Sequence, residues 1–255
     1  MTIHIPSAAP FLAAPPRFAQ LARWKPGSGD ASLHGEVFAC ASEGSGAALA
    51  LALALDRIRS IAPDPAADSP DRRPWLWVQD ATALRLGGRP YRPGLPAPLR
   101  DRLVHVAAKT PEDALFALEE GLRCRELAFV IGELAGNPRA LGFTASRRLS
   151  LMAERHGTPL WLVRLDARRD LGSARMRWEA RSASSLQPHC NPVAPGLPSW
   201  RAELFRARTH PPGEWILRDD GKALLAEHFG LAEHFAPPDH GDLAGPIGDR
   251  SLAAG

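Results

Sequence analysis

Hydrophobic positions in the first two thirds of the chain form short blocks without polar alternation, separated by segments with helical spacing. Five such blocks are EVFACA (36–41), PWLWVQ (74–79), RLVHVAA (102–108), LAFVIGEL (127–134) and PLWLVRL (159–165). Short continuous apolar runs are typical of strands that are covered on both faces of a parallel sheet. The pattern therefore predicts five buried strands.

Helices are predicted in the segments between these strands. Residues 46–60 follow a Gly/Ser-rich turn, and Thr110 is placed to cap a helix with leucines at helical spacing. Thr144 is placed to cap a further helix that runs to His156, with Gly157 as its C′ residue. Strands that alternate with helices in this order predict an α/β fold, with a mainly parallel sheet and helices on both faces.

The pattern changes after residue 170, where apolar and polar residues alternate. In ARMRWEARSA (174–183), Met176, Trp178 and Ala180 share one face of a strand, and charged residues occupy the other. Two more strand candidates are SWRAELFRAR (199–208) and EWILRDD (214–220). Alternation of this kind predicts an antiparallel C-terminal extension of the sheet.

These patterns divide the chain of 255 residues into three regions. Residues 1–30, rich in Pro and Ala, predict a loosely ordered N-terminal arm. Residues 31–220 predict the folded α/β domain, and residues 221–255 predict a C-terminal helix followed by a disordered tail. The helix is expected between Gly221 and Phe235, where an apolar face would serve for docking to a partner. That face would consist of Leu224, Leu225 and Phe229.

The charge of the chain permits a nucleic-acid partner without requiring one. The formal net charge is +3 and the sequence pI is about 9.0. The basic residues are almost all arginine, which a GC-rich genome explains as well as selection for phosphate binding does. Charge therefore excludes neither a protein partner nor a nucleic acid.

Cysteine usage and hydropathy predict a soluble cytoplasmic protein. Cys40, Cys124 and Cys190 are odd in number and widely spaced, so they predict neither a metal site nor a disulfide framework. We expect Cys40 and Cys124 to be small core residues. The longest apolar run, 47–55, is too short to span a bilayer.

The turn after the first strand has the position of a phosphate-binding loop but lacks its side chains. Such a loop, G-x-x-x-x-G-K-[ST], needs an ammonium for the phosphates and a hydroxyl for Mg²⁺. Aligned on Gly46, the chain has Ala41, Ala47 and Ala48 at the first Gly, the Lys and the hydroxyl positions. Losing both groups costs roughly 3–6 kcal/mol of binding, or about two to four decades of affinity.

We therefore expect no bound cofactor, no metal and only a vestigial loop. The backbone of residues 43–46 could still hold an anion at the helix N-terminus, although Glu43 would repel it. The vestigial loop comprises Ser42, Glu43, Gly44, Ser45, Gly46, Ala47 and Ala48.

The order of the degenerate loop, the strand WLWVQDA, the helix TPEDAL and the strand AFVIGEL resembles the RecA core. In that family the second strand ends near a catalytic Glu, and the AFVIGEL-like strand ends in a metal-associated Asp. The matching positions here are Ala81, with Asp80 beside it, and Gly132, with Glu133 beside it. The resemblance thus implies a RecA-like domain with a degenerate P-loop over residues 31–220, without catalytic residues.

Among RecA-like chains, this one most resembles the ImuA family. The similarity runs from about residue 33 to 220 and implies a nonenzymatic accessory protein of SOS mutagenesis and error-prone translesion DNA synthesis. The implied partners are ImuB, an inactive relative of Y-family polymerases, and an error-prone C-family DNA polymerase, with a link to RecA and DNA. The resemblance rests on LHGEVFA (33–39), PWLWVQ (74–79), TPEDALFALEEGLRC (110–124), AFVIGEL (128–134), TASRRLSLMAE (144–154), ARMRWEA (174–180) and SWRAELFRAR (199–208) followed by PGEWIL.

Two other functions stay open from the sequence. A divergent RecA-like ATPase could borrow Lys109 or the arginine of a partner, and calorimetry with ATP and Mg²⁺ would reveal it. A SulA-like inhibitor of cell division also resembles a catalytically empty RecA-like fold, and co-purification with FtsZ would reveal that function.

Two groups of arginines are candidate contacts for DNA or for a protein partner. Arg147 and Arg148 lie on the helix that ends at His156, where a solvated helix face is the alternative. A second group shares one strand face, where an exposed sheet face with Glu179 as the ion-pair partner is the alternative. That group consists of Arg175, Arg177 and Arg181.

Overall fold

The computed structural model describes residues 22–28, 32–61, 71–188, 191 and 194–228. Within these ranges nine strands form one mixed sheet. In chain order they are β1 (His34–Ala39), β2 (Trp75–Gln79), β3 (Leu103–Ala107), β4 (Val130–Ala135), β5 (Leu160–Leu165), β6 (Met176–Ser182), β7 (Ser199–Ala207), β8 (Gly213–Asp219) and β9 (Leu224–His228). The helices are α1 (Ser45–Ile61), α2 (Ala81–Gly87), α3 (Ala97–Arg100), α4 (Pro111–Arg123) and α5 (Phe143–His156), with a 3-10 turn at Arg92–Gly94.

The sheet has the order β3-β2-β4-β5-β1-β6-β7-β8-β9. All neighbours from β3 to β6 are parallel, and β7, β8 and β9 are added antiparallel. The predicted α/β architecture, mainly parallel with an antiparallel C-terminal part, is confirmed. The sheet therefore has two parts. One is parallel and consists of buried strands, and in the other each strand pairs with the next strand in sequence.

Helices cover the parallel half on both faces, as predicted. On one face α1, α2 and α3 pack on alternate residues of the strands, including Trp75, Trp77 and Val163. On the other face α4 and α5 pack on the intervening residues, including Leu76 and Leu162. Trp75, Trp77 and Trp178 are all buried.

The ends of the helices agree with the sequence at two sites and disagree at one. The Thr110 hydroxyl accepts a hydrogen bond from the Asp113 N–H (3.1 Å), so Thr110 caps α4. Gly157 has φ 72° and donates its N–H to the Ala153 carbonyl, which ends α5. The prediction that Thr144 caps α5 is wrong, because α5 begins at Phe143, and Gly142 is at its N-cap without a side-chain bond.

The segment before β1 contributes to the core, contrary to part of the prediction for residues 1–30. Trp24 is only 4% exposed. Its ring meets Trp178 and Trp215 edge-on, with centroid distances of 4.7 and 5.4 Å. Residues 1–21 lie outside the described residues. The prediction of a loosely ordered arm is therefore wrong for the segment around Trp24.

The helix predicted from Gly221 to Phe235 is a strand wherever the structure describes it. Leu224–His228 pairs antiparallel with β8, and the turn before it has Gly221 at φ 82°. Asp220 fixes this turn by accepting hydrogen bonds from the N–H groups of Lys222 and Ala223, both at 2.7 Å. Pairing with a free sheet edge overrides the helical propensity of Leu, Ala and Glu. Phe229 and the predicted tail lie outside the described residues.

The structure also bears on the predictions about the cysteines and about membrane spans. Cys40 and Cys124 are exposed rather than in the core, because β1 ends at Ala39 and α4 ends at Arg123. Cys190 lies outside the described residues. None of the helices in the described ranges is long and apolar enough to cross a lipid bilayer.

Candidate functional site

The candidate site lies at the carboxyl edge of the parallel strands. Ligands of open α/β sheets bind at this edge, where loops connect strand ends to helices. The vestigial loop leaves β1 here and enters α1, and β2, β4 and β5 end along the same edge. A ligand over the loop would contact residues at the carboxyl ends of β1, β5 and β6.

Gly46 in the vestigial loop has a packing role that is independent of phosphate. A Cβ at this position would lie 2.6 Å from the Ala39 Cβ and 3.0 Å from the Val163 Cγ1. Only glycine lets the first turn of α1 approach β1 and β5 so closely. The glycine that made the segment look like a phosphate loop is thus explained by helix–sheet contact.

Asp166, which the sequence did not single out, closes the loop from the end of β5. Its backbone has φ 50°, a left-handed conformation that Asp tolerates better than most residues. Its N–H donates to the Ala39 carbonyl, and its Oδ1 accepts from the Ala41 N–H at 3.0 Å. A carboxylate is therefore held at the start of the loop, one residue before Ser42. The signal in the sequence was a first polar residue directly after a buried strand.

Glu43 adds a second negative charge to the loop. The Ser182 N–H donates to its Oε2 at 2.7 Å. This hydrogen bond is the main reason that the pKa of Glu43 lies below its usual value, and the nearby Arg181 guanidinium lowers it further. Glu43 is therefore ionised at neutral pH and opposes an anion over the loop.

The cleft over the loop, about 310 Å³ in volume, carries a net negative rather than a cationic charge. Its two guanidiniums are already paired, since Arg169 bonds Glu179 (Nε–Oε2 3.0 Å) and Glu203, and Arg181 bonds Glu179 (3.0 Å). Three carboxylates line the same cleft: Glu43, Asp166 and Glu179. This cleft has an excess of negative charge and is a poor receptor for a triphosphate.

The two carboxylates beside the predicted catalytic positions hold the fold together. Asp80 caps α2, with its Oδ1 accepting from the Ala83 N–H at 2.6 Å. Glu133 accepts hydrogen bonds from Gln79 Nε2 (2.8 Å) and Trp77 Nε1 (3.2 Å), both on β2 and on the side away from β1. Burial raises the pKa of Glu133, against the effect of these hydrogen bonds. Neither group is among the residues that line the cleft over the loop.

Lys109 is too far from the loop to replace its missing lysine. It follows β3, the edge strand, which is separated from β1 by β2, β4 and β5. Four strand spacings of about 4.8 Å correspond to roughly 19 Å. An ATPase that borrows Lys109 within one chain is therefore incompatible with this sheet order.

The five arginines predicted as contacts do not form one surface. Arg148 bonds Glu119 on α4 at 2.5 Å, whereas Arg147, on the same helix, is exposed and makes no side-chain bond within the described ranges. Arg175 bonds Glu154 on α5 (Nε–Oε1 2.8 Å), and Arg181 is an exposed partner of Glu179.

The prediction that Arg177 is a surface contact is wrong, because its side chain is buried. Its Nε donates to Glu36 Oε2 at 2.6 Å, its Nη1 donates to the Asp170 carbonyl at 2.7 Å, and only 3% of its side chain is exposed. Arg164 is buried beside the same carboxylate, and both guanidiniums lie over the ring of Phe38. The segment that follows β5 covers this face of β6, so the alternation of the strand did not mean solvent exposure.

A further polar cluster lies between α5 and the start of β1. It consists of the buried His34 and the serines Ser146, Ser150 and Ser173. His34 Nδ1 lies 2.7 Å from the Ser150 hydroxyl, which lies 2.6 Å from the Ser173 hydroxyl. Burial lowers the pKa of His34 to about 3, with a smaller effect from Arg177. A group with so low a pKa is a poor general base, so we assign this His–Ser contact to packing of α5. Within the described residues no group of His, Cys, Asp and Glu side chains could hold a metal ion.

Comparison with known proteins finds similarity of sequence to curated relatives. No family model matches the chain. A curated relative, Protein ImuA of Caulobacter vibrioides (strain NA1000 / CB15N), is 32% identical over 161 aligned residues. This match supports membership of the ImuA family. The ImuA of a second strain, ATCC 19089 / CIP 103742 / CB 15, matches equally well.

The match to the ImuA relatives is partial in length. It covers 58% of this chain and 62% of the relative, so the chain spans less than two thirds of the curated proteins it matches. The segments on which the resemblance to the ImuA family rested form β1, β2, α4, β4, α5, β6, β7 and β8. These elements make up most of the sheet and the helical layer that includes α4 and α5.

Proposed function

We propose that this chain is a noncatalytic accessory protein of damage-induced, error-prone translesion DNA synthesis. The similarity to Protein ImuA carries the proposal, since it suggests a place in the SOS mutagenesis cassette. The partners would be an ImuB-type relative of Y-family polymerases and an error-prone C-family polymerase. The protein would act in the cytoplasm, at the nucleoid, during DNA damage.

A RecA-like core with a degenerate P-loop is the second part of the proposal. In its support, the ends of β1, β2 and β4 lie along one edge, where a RecA-type enzyme would need its loop, its Glu and its Asp. Against catalysis, Ala47 and Ala48 replace the ammonium and the hydroxyl. The carboxylates of Glu43 and Asp166 also oppose a triphosphate over the loop. A scaffold that needs no nucleotide accounts both for the RecA-like placement of the strand ends and for the loss of the groups that would bind a triphosphate.

Complementation in the bacterium that encodes the chain tests this function. Deleting the gene should reduce ultraviolet-induced mutation to about the uninduced frequency, and the wild-type gene should restore it. Ala48 is exposed at the start of α1, so Ala48→Glu adds a further carboxylate where phosphates would lie. A noncatalytic scaffold predicts full complementation by Ala48→Glu at unchanged protein level.

Other outcomes contradict the proposal. Loss of complementation by Ala48→Glu, together with micromolar binding of ATP and Mg²⁺ by the wild type, would favour an ATPase. Normal induced mutation in the deletion strain, with filamentous cells on overproduction of the protein, would favour an inhibitor of cell division.

Partner capture should be tested with the strand β9 left intact. Removal of residues 221–255 would delete β9 and expose the edge of β8, so lost capture of an ImuB-type protein would reflect damage to the sheet. Removal of residues 229–255 leaves β9 in place. If residues 229–255 contact the partner, this shorter truncation weakens capture, whereas undiminished capture assigns docking to the folded domain.

A further inference from the structure

A groove of about 710 Å³ lies beside α5, on the face of the sheet that α4 and α5 cover. Its walls are the outer face of α5, the connection 172–175 before β6, and the end of β7. Volumes of this size accommodate a drug-sized molecule or a short peptide. The groove is separate from the cleft over the vestigial loop, because the two share no lining residue.

The groove is cationic. Arg147, Arg206 and Arg208 line it, are exposed, and have no side-chain hydrogen bond or ion pair within the described part of the chain. A fourth guanidinium, Arg175, is matched by Glu154. Four guanidiniums and one carboxylate leave three positive charges without a partner, so the groove attracts carboxylates or phosphates.

Apolar side chains lie among these charges. Phe143 is 52% exposed and Leu151 is 54% exposed, although both are large and apolar. They lie four residues before and four after Arg147, so all three share one face of α5. Covering Phe143 and Leu151 would remove apolar surface from water and so favour a partner with apolar side chains of its own.

The floor of the groove is fixed by hydrogen bonds. Ser150 and Ser173 line it, and their hydroxyls lie 2.6 Å apart. The Ser173 N–H donates to the Ser146 hydroxyl at 2.9 Å, which ties the connection 172–175 to α5. His34, 2.7 Å from Ser150, holds the cluster from below. The walls are therefore positioned before a ligand arrives, which reduces the ordering cost of binding.

We propose that this groove binds a protein segment that carries carboxylates beside apolar side chains. Carboxylates would pair with Arg147, Arg206 and Arg208, and an apolar side chain would cover Phe143 or Leu151. A continuous phosphodiester fits less well, because Phe143 is a single ring with no second aromatic side chain in the lining, and Glu154 adds negative charge at the rim. The groove thus joins charge and apolar contact in the manner of a peptide-docking site.

This inference rests on the proposed function in one respect: the groove would be the surface by which an accessory protein holds its partner. Its test is separate from the mutagenesis assay. Induced mutation could be normal with an unused groove, and peptide binding could be present in a chain without any role in mutagenesis.

Selection of peptides on the purified full-length chain tests the proposal. A phage-displayed library of random 12-residue peptides is panned on the wild type, and each recovered peptide is measured by fluorescence anisotropy. The groove variant is Arg147→Glu/Arg206→Glu/Arg208→Glu. The matched control, Arg125→Glu/Arg139→Glu/Arg168→Glu, makes the same charge change at exposed arginines outside the groove. Circular dichroism establishes that both variants are folded.

We expect the recovered peptides to combine Asp or Glu with Leu, Phe or another large apolar residue. They should bind the matched control within about twofold of the wild type and the groove variant at least about tenfold more weakly, since charge-assisted hydrogen bonds are lost. Leu151→Ser, which keeps every charge, should weaken the same peptides about threefold or more.

Five results would overturn the proposal. Peptides could bind the groove variant as tightly as the wild type, or lack acidic residues. The oligonucleotide dT20 could bind more tightly than every peptide and depend on the same arginines, which would assign the groove to nucleic acid. Sedimentation could show a dimer that the groove variant abolishes, which would make a second copy the occupant. Peptides could bind only after removal of residues 229–255, which would indicate an intramolecular occupant.

Discussion

Arginine side chains line both the cleft over the vestigial loop and the groove beside α5, but the two sites differ in how these arginines are paired with carboxylates. In the cleft, Arg169 and Arg181 each have a carboxylate partner, and carboxylates outnumber guanidiniums. In the groove, three arginines have no carboxylate partner within the described residues. The position that looks like a ligand site in the sequence is thus neutralised by the fold. Free cationic surface is found where no motif pointed to it.

This difference separates arginines that stabilise the protein from arginines available for binding. A guanidinium bonded to a buried carboxylate holds strands together, and its removal leaves an uncompensated charge. A guanidinium that faces solvent alone contributes little to the free energy of unfolding. Stability measurements should therefore distinguish the two classes even before any ligand is identified.

The largest expected effect is the loss of the buried pair that crosses from β6 to β1. Arg177→Ala leaves Glu36 buried without its main partner and should lower the free energy of unfolding by about 3–5 kcal/mol. Arg206→Ala, in the groove, should change it by less than about 0.5 kcal/mol. Urea denaturation of both variants measures the contrast. Equal losses would show that the two classes of arginine are not distinct.

The next effect concerns pH and the floor of the groove. Burial lowers the pKa of His34 to about 3, from about 6.5 in the unfolded chain. Below pH 6.5 the unfolded state therefore binds a proton that the folded state excludes, and stability falls as the pH falls. From pH 6.5 to 4.5 the loss is about 2 kcal/mol, because the slope rises toward about 1.36 kcal/mol per pH unit as the unfolded histidine becomes fully protonated.

His34→Gln is the matching variant for this pH effect. It has no titrating group at this position, so its unfolding free energy should depend on pH less steeply than that of the wild type between pH 6.5 and 4.5. Urea denaturation at several pH values gives the difference between the two proteins. Parallel pH profiles would mean that His34 is accessible to protons in the folded state.

The smallest expected effect is on nucleotide affinity when the missing loop side chains are restored. Ala47→Lys/Ala48→Thr should raise the affinity for ATP and Mg²⁺ by less than about tenfold, because Glu43 and Asp166 still oppose the phosphates. Calorimetry of the wild type and the variant measures this. A gain of two or more decades would mean that the cleft is competent and lacks only two side chains.

Much of the fold was predictable because its signals are local. Five uninterrupted apolar blocks predicted the five strands β1 to β5, and the alternation in ARMRWEARSA predicted the face of β6 that buries Trp178. The capping role of Thr110 needed only a four-residue window. Such features depend on neighbours in sequence, so periodicity and capping chemistry suffice to find them.

The features that escaped prediction depend on distant partners. Arg177 is buried because Glu36, 141 positions away, accepts its hydrogen bond. Asp166 reaches the Ala41 N–H across 125 positions. The strand β9 was mistaken for a helix because Leu, Ala and Glu favour helices, although Asp220-Gly221 is a turn signal between strands. The groove needed the structure, because it joins α5 to the end of β7.

The indole contact of Trp24 with Trp215 imposes an order of events during protein synthesis. These two rings lie at opposite ends of the described chain, and β1 likewise needs β6 as a neighbour. A nascent chain that has just left the ribosome with its first strand must therefore wait until the last strands emerge. Contacts of such long sequence separation slow folding and leave apolar surface open meanwhile. We expect the growing polypeptide to depend on chaperones until the segment that contains Trp215 has been synthesised.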